Sequence, residues 1–254
     1  MRVRLLHPRV EEMPDPTPLY DVERPDLEHR PWIVASMIAS LDGAITHHGR
    51  SGPLGNDTDR RVLQVLRSSA DAIVVGARTV RTEQYGPVRL DDAQRRRRLF
   101  SGRSPQPRVA IVSASLDLDP RLGVFENPEP PLIFTTLSPH DDRWRRLSRS
   151  AELVHLPAEE PTAEFLVREF SARSWKTVLC EGGARINSLF ASAEMLDELC
   201  LTISPHLVGG PGPRLLTDGV DDRLRRFRLA HLANDDGWIF LRYLREVRDA
   251  DVES

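Results

Sequence analysis

From Pro31 onward, short uncharged runs alternate with stretches of helical periodicity. Trp32–Leu41 (WIVASMIASL) is unbroken by charge, the pattern of a strand buried on both faces. It stops at the turn dipeptide Asp42-Gly43, and a polar, glycine-bearing loop runs over 47–56. Asn56-Asp57 can cap a helix whose apolar side is Val62, Leu63, Val65 and Leu66. Ala72–Val75 reads as the next strand and ends at Gly76. Val109–Val112, Leu132–Thr135, Thr177–Cys180 and Leu196–Ser204 read as four more. Helices are expected near 141–148 and 162–172 and from Ala184 to Ala191. The polar, arginine-rich 81–107 reads as loop with one short helix. Two last strands, about 226–233 and 238–246, are joined by Asn234-Asp235-Asp236-Gly237, a hairpin signal.

Strands alternating with helices and closing in a hairpin predict an α/β domain over 31–254. Its sheet is expected to be mostly parallel, with helices on both faces and an antiparallel C-terminal edge. Residues 1–30 are rich in Pro, Glu, Asp and Arg and show little periodicity. They are expected to form an extended arm anchored by Leu5, Leu6, Leu19 and Tyr20. Ligands of such sheets sit beyond the carboxyl ends of the strands. That rule gathers 42–51, 76–83, 113–115 (with Ser113), 181–185 and 204–210 around one cleft.

Composition narrows the function. The 254 residues carry 35 Lys+Arg against 38 Asp+Glu, a net charge of −3, and so lack the basic field of a nucleic-acid binder. No run of about 18 apolar residues exists, and the N-terminus has no signal-like apolar segment, so a soluble cytoplasmic protein is expected, with no membrane partner. Cys180 and Cys200 alone make neither a disulfide framework nor a zinc knuckle. Lys176 is the only lysine among the basic residues, which fits GC-rich coding and also fits arginines that grip phosphate through planar bidentate bonds.

Gly76-Ala77-Arg78-Thr79 follows a strand and can open a helix, where exposed N–H groups favour phosphate. Glu181-Gly182-Gly183-Ala184-Arg185 repeats the arrangement. One such turn means little, but two in one α/β chain suggest a dinucleotide pyrophosphate. G-x-G-x-x-G, G-x-x-x-x-G-K-[ST], G-x-S-x-G and H-x-E with P-C-x-x-C are all absent. His47-His48 lacks a third ligand of suitable spacing, so no metal is expected. Arg95–Arg98 reads as a solvated face. A reaction carried by a bound cofactor remains.

Ser40-Leu41-Asp42-Gly43, Asp59-Arg60, Leu66-Arg67, Ala70–Val80, Glu181-Gly182-Gly183, Leu196–Leu199 and Ile203–Gly210 occur in consecutive order. Together they resemble the pyrimidine reductase domain of riboflavin biosynthesis, which has a dihydrofolate-reductase-like fold, over about Pro31 to Val247. The resemblance implies NADPH-dependent reduction of 5-amino-6-(5-phosphoribosylamino)uracil, with hydride passing to C1 of the ring-opened ribose. It implies a stand-alone reductase without the zinc deaminase domain of bifunctional relatives, and a homodimer paired through a sheet edge and neighbouring helices.

The same resemblance points to Ser51, Arg67 and Arg89 for the substrate phosphate and Glu181 for substrate or ribose hydroxyls. It assigns Gly76, Ala77, Thr79, Gly182, Gly183 and Ala184 to the pyrophosphate. Arg78 or Arg185 would meet the adenosine 2′-phosphate by charge. A carboxylic acid is needed to supply a proton; where the family has Asp this chain has Glu83, one methylene longer. Asp42 is a second catalytic candidate, or a turn residue. Ser36 replaces a lysine that some members carry in the first strand. Two further readings stay open: a reductase of the same fold acting on dihydrofolate or another pterin or pyrimidine, and an NADPH-binding module without catalysis.

Overall fold

The computed structural model describes residues 2–157, 161–216 and 223–246. The strands are β1 (Val3–His7), β2 (Glu11–Met13), β3 (Trp32–Ser40), β4 (Ala72–Gly76), β5 (Arg108–Val112), β6 (Leu132–Thr135), β7 (Glu152–His155), β8 (Thr177–Cys180), β9 (Glu198–Ser204), β10 (Phe227–Asp235) and β11 (Trp238–Arg245). All eleven join one sheet in the order β2-β1-β10-β11-β9-β3-β8-β4-β5-β6-β7. From β9 to β7 every neighbouring pair is parallel. The other end of the sheet is antiparallel. The expected fold class is therefore the one found.

Side chains of the parallel strands alternate between two apolar layers. Ile73 and Val75 pack with Val62, Val65 and Leu66 of helix α2 (Asp57–Ser69), after a short turn of helix α1 (Thr17–Tyr20). Ala72, Val74 and Cys180 pack on the opposite face, with helices from the chain's second half. Continuing in chain order, α3 (Ala77–Thr82), α4 (Asp92–Phe100) and α5 (Asp142–Leu147) follow α2. The opposite layer is α6 (Ala163–Ala172) and α7 (Ala184–Ser192), through Leu166, Phe170, Ile186 and Phe190. Asn56 caps α2 by accepting from the Asp59 amide, as its sequence position suggests. Asp236 and Gly237 both have positive φ, 48° and 87°, the two-residue turn that closes the β10–β11 hairpin.

Three local expectations need correction. The N-terminal segment is woven into the sheet, with β1 pairing β10 and β2 pairing β1. Of its expected anchors, Leu5 and Tyr20 are buried, while Leu6 is 41% exposed. Arg24 reaches Glu198, which also takes Arg242 and the Trp32 indole N–H in a buried ion cluster. The run Arg95–Arg98 is not wholly a solvated face: Arg98 is buried and donates to the carbonyls of Ser68 and Ala70. It thereby satisfies carbonyls at the C-terminal end of α2, where no glycine is present to close the helix. Finally, β7 adds a strand that the apolar pattern left unassigned, while α3 is the helix that Gly76-Ala77-Arg78-Thr79 was expected to open.

Candidate functional site

Because β3, β4, β5, β8 and β9 run parallel, their carboxyl ends open on one side of the sheet. Two of these ends carry glycine turns, and the turns touch. The Gly76 amide donates to the Gly182 carbonyl at 2.9 Å, and the Glu181 amide donates to the Val74 carbonyl at 3.0 Å. A Cβ on Gly183 would lie 3.0 Å from Thr79 Oγ1, and one on Gly182 would lie 3.4 Å from Met37 Sδ. Gly182 has φ of +82°, a region that favours glycine. The Gly182–Gly183 peptide is cis.

These turns open α3 and α7, and both helices begin differently from α2, α4, α5 and α6. In α2, α4, α5 and α6 a side chain caps the first turn and an acidic residue lies in it. In α3 and α7 the N-caps are Gly76 and Gly183, with no side-chain cap and no acidic residue in the first turn. Their unused N–H groups and the positive ends of both helices are left to attract an anion. Arg78 and Arg185 occupy the second position of each helix and are exposed, with no ion pair among the described residues. A cation at a helix start is unfavourable by itself, so two there strengthen the case for an anionic ligand. The residues present fit a dinucleotide pyrophosphate.

Beside the glycine turns lies a polar knot. Arg67, at the last turn of α2, donates from Nε to Glu181 Oε1 at 2.7 Å and from Nη2 to Oε2 at 2.6 Å. Arg67 Nη2 also donates to the Tyr85 hydroxyl at 2.8 Å, and that hydroxyl donates to Glu181 Oε2. Burial alone disfavours the charged guanidinium, but the Glu181 carboxylate outweighs it and holds the Arg67 pKa above its ordinary value. Burial, and then the neighbouring Glu181 charge, push the Tyr85 phenol well up, so it stays a donor. Arg67 is thus an ion-pair partner first, with only Nη1 uncommitted.

Glu83 closes α3 and turns to the loop after β3. Its Oε1 accepts from the Ser51 amide at 2.7 Å and the Ser51 hydroxyl at 2.9 Å. Arg50 Nε lies 3.9 Å from its Oε2. Asp42 is engaged otherwise: it accepts from the Ser40 hydroxyl at 2.5 Å, the Val208 amide at 3.1 Å and the Gly209 amide at 2.7 Å. The Ser40 bond, then the Gly209 and Val208 amides, pull its carboxyl down to about 2. It ties the loops after β3 and β9 together. Of the two roles the sequence left open, catalytic group or turn residue, these bonds favour the second.

Ser113 is buried beside Gly76 at the end of β5, its hydroxyl oxygen accepting from the Leu116 amide at 3.0 Å. Arg89 is exposed between buried Val88 and Leu90, and no hydrogen bond or ion pair among the described residues joins it to the knot. Tyr85, Arg50 and Met37 were not singled out from sequence. Each meets its partner across the fold or through loop geometry, which no local spacing announces.

A model of the RibD C-terminal domain matches residues 31–240. The chain is 25% identical over 202 residues to a 2,5-diamino-6-ribosylamino-4(3H)-pyrimidinone 5′-phosphate reductase of Methanothermobacter thermautotrophicus, covering 79% of this chain and 90% of that one. A protein of the same name from Aquifex aeolicus is 28% identical over 197 residues, with 75% and 84% covered. Among solved structures, a pyrimidine reductase-like protein from Corynebacterium diphtheriae superposes with a TM-score of 0.81 at 29% identity, over 92% of this chain and 100% of that one. The RibD protein of Acinetobacter baumannii shares the fold, with a TM-score of 0.70 at 20% identity, over 87% of this chain and 59% of its own. The match spans most of the sheet and both glycine turns, and the chain belongs to the RibD C-terminal domain family.

Proposed function

We propose that this protein is an NADPH-dependent reductase of a phosphoribosylaminopyrimidine in riboflavin biosynthesis. The observation that carries the reading is the contact between the two glycine turns, which makes one anion cradle from two helix starts. Bound there, a reduced nicotinamide dinucleotide supplies a hydride. The amides of Ala77, Gly183 and Ala184 and the Thr79 hydroxyl hold its pyrophosphate, Gly76 and Gly182 let the backbone approach it closely, and Arg78 and Arg185 favour a 2′-phosphate by charge.

On the substrate side, Ser51 and Arg89 bind the sugar phosphate, and Arg67 reaches it through Nη1 alone. Glu181 orients sugar hydroxyls. Glu83, held by Ser51, is the carboxyl group that, once protonated from solvent, passes that proton to the nitrogen or oxygen next to the reduced carbon. Asp42 shapes the cleft by fixing 205–210 against β3. The named relatives' substrate carries an amino group at C2 of the pyrimidine, where the uracil form carries oxygen; the ribosylamino phosphate that reacts is common to both.

In this reading the enzyme works in the cytoplasm as a pair of copies. Leu229, Leu232, Leu241 and Tyr243 face one side of the antiparallel strands, half-buried and outside the core clusters, and supply an apolar face for pairing. A second reading, reduction of an unphosphorylated pterin such as dihydrofolate, is favoured by the engagement of Arg67 with Glu181, which leaves fewer cations for phosphate. NADPH consumption by the purified protein with each pyrimidine and with dihydrofolate separates the two. Turnover confined to dihydrofolate would replace the first reading with the second.

A further inference from the structure

The Arg67–Glu181–Tyr85 knot holds more bonds than neutralising one carboxylate needs. Arg67 alone meets both oxygens of Glu181 in a bidentate pair, with the Glu181 side chain 6% exposed. The Tyr85 hydroxyl therefore adds geometry, not charge. It accepts from Arg67 Nη2 and donates to Oε2, so Oε2 receives two hydrogen bonds and Oε1 receives one. Each carboxylate oxygen accepts about two hydrogen bonds. Oε2 is then full, and the open lone pair lies on Oε1.

Tyr85 is also tied to the opposite wall of the cleft. Gln84 has φ of +51°, and this reversal sends the side chains of Glu83 and Tyr85 to different partners, Ser51 and the Glu181 knot. The Tyr85 amide donates to the Val80 carbonyl at 3.0 Å, which fastens the turn to α3. The Arg67 guanidinium carbon sits 5.2 Å from the centre of the Tyr85 ring. Glu181 immediately precedes Gly182 of the cofactor cradle. One phenol thus links the turn bearing Glu83 to the strand end bearing Glu181.

We propose that Tyr85 is a positioning residue for the reaction: by saturating Oε2 of Glu181 it leaves Oε1 as the single acceptor for a hydroxyl of the substrate's opened sugar. The inference rests on the phosphoribosylaminopyrimidine reading. Tyr85→Phe keeps the ring under Arg67 and removes only the hydroxyl, so Glu181 can offer either oxygen. The expected result is a roughly tenfold fall in kcat with the pyrimidine substrate, the size of one hydrogen bond to a charged group. KM for NADPH should stay within about twofold, which a collapse of the cofactor cradle would not allow.

Glu181→Gln and the double variant complete a cycle. If Tyr85 acts through Glu181, Tyr85→Phe costs nothing further on the Glu181→Gln background. If Glu181→Gln does not fold, Glu181→Asp, whose shorter stem withdraws the carboxylate from the phenol, takes its place with the same expectation. Wild-type kcat in Tyr85→Phe, effects that multiply in the double variant, or a parallel fall in NADPH affinity and melting temperature would each overturn the inference alone. A wild-type protein that consumes NADPH with neither pyrimidine overturns the functional reading, and this inference falls with it.

Discussion

Gly183→Ala tests whether the two glycine turns work as one cradle. Gly183 has φ of −61°, outside the left-handed region that favours glycine, so the contact its Cβ would make is the feature to test. The added Cβ would stand 3.0 Å from Thr79 Oγ1, a few tenths of an ångström inside ordinary contact. Either the Thr79 hydroxyl rotates away or the starts of α3 and α7 part. Overpacking of this kind costs about 1–3 kcal/mol. Borne by the ligand geometry, about 1.4 kcal/mol of it is a tenfold rise in the Kd for NADPH, read by calorimetric titration. On a Thr79→Ala background the obstructing oxygen is gone, and Gly183→Ala should then weaken binding no further. Full-strength binding in the single variant, or an equal loss on both backgrounds, would refute the idea that these turns jointly hold the nucleotide.

Glu83→Gln should lower kcat about 100-fold or more while NADPH binding is unchanged, if Glu83 delivers the proton; a full-speed variant leaves it only its bonds to Ser51. Arg67→Ala strips a buried carboxylate of its ion-pair partner and should destabilise the fold by about 3 kcal/mol in urea titration; an unchanged midpoint would remove the pair from the fold's support. Burial, and then the Arg242 charge, pull the buried His231 down to about 4 from 6.5. Its folded form therefore resists protonation, and the unfolded chain binds the extra proton between those values. Stability should decline as pH falls from about 6.5 to about 4, and His231→Phe, which keeps the edge contact with Tyr20, should flatten that slope. A slope identical to wild type would assign the acid sensitivity to other groups.

The parallel half of the sheet was legible because its strands are buried on both faces and read as apolar runs, from Trp32–Ser40 to Thr177–Cys180. β1 and β2 were not, since a five-residue strand carrying Arg4 draws its order from pairing with β10, far along the chain. The glycine turns were visible as turns, and their place at adjoining strand ends followed from topology. The partnerships inside the site were hidden. Arg67 and Glu181 are 114 residues apart, and the bond between them changes Arg67 from a free cation into a partner already taken. For Asp42, open between a catalytic group and a turn residue, the bonds from Val208 and Gly209 come from far along the chain and could not be read from spacing.

The most direct measurement is NADPH oxidation by the purified protein with 5-amino-6-(5-phosphoribosylamino)uracil and its 2,5-diamino counterpart as substrates, with the ribityl product identified by mass. The expected result is stoichiometric NADPH consumption and a product heavier by two hydrogens at the sugar. NADPH that neither binds nor is consumed with either pyrimidine would contradict it.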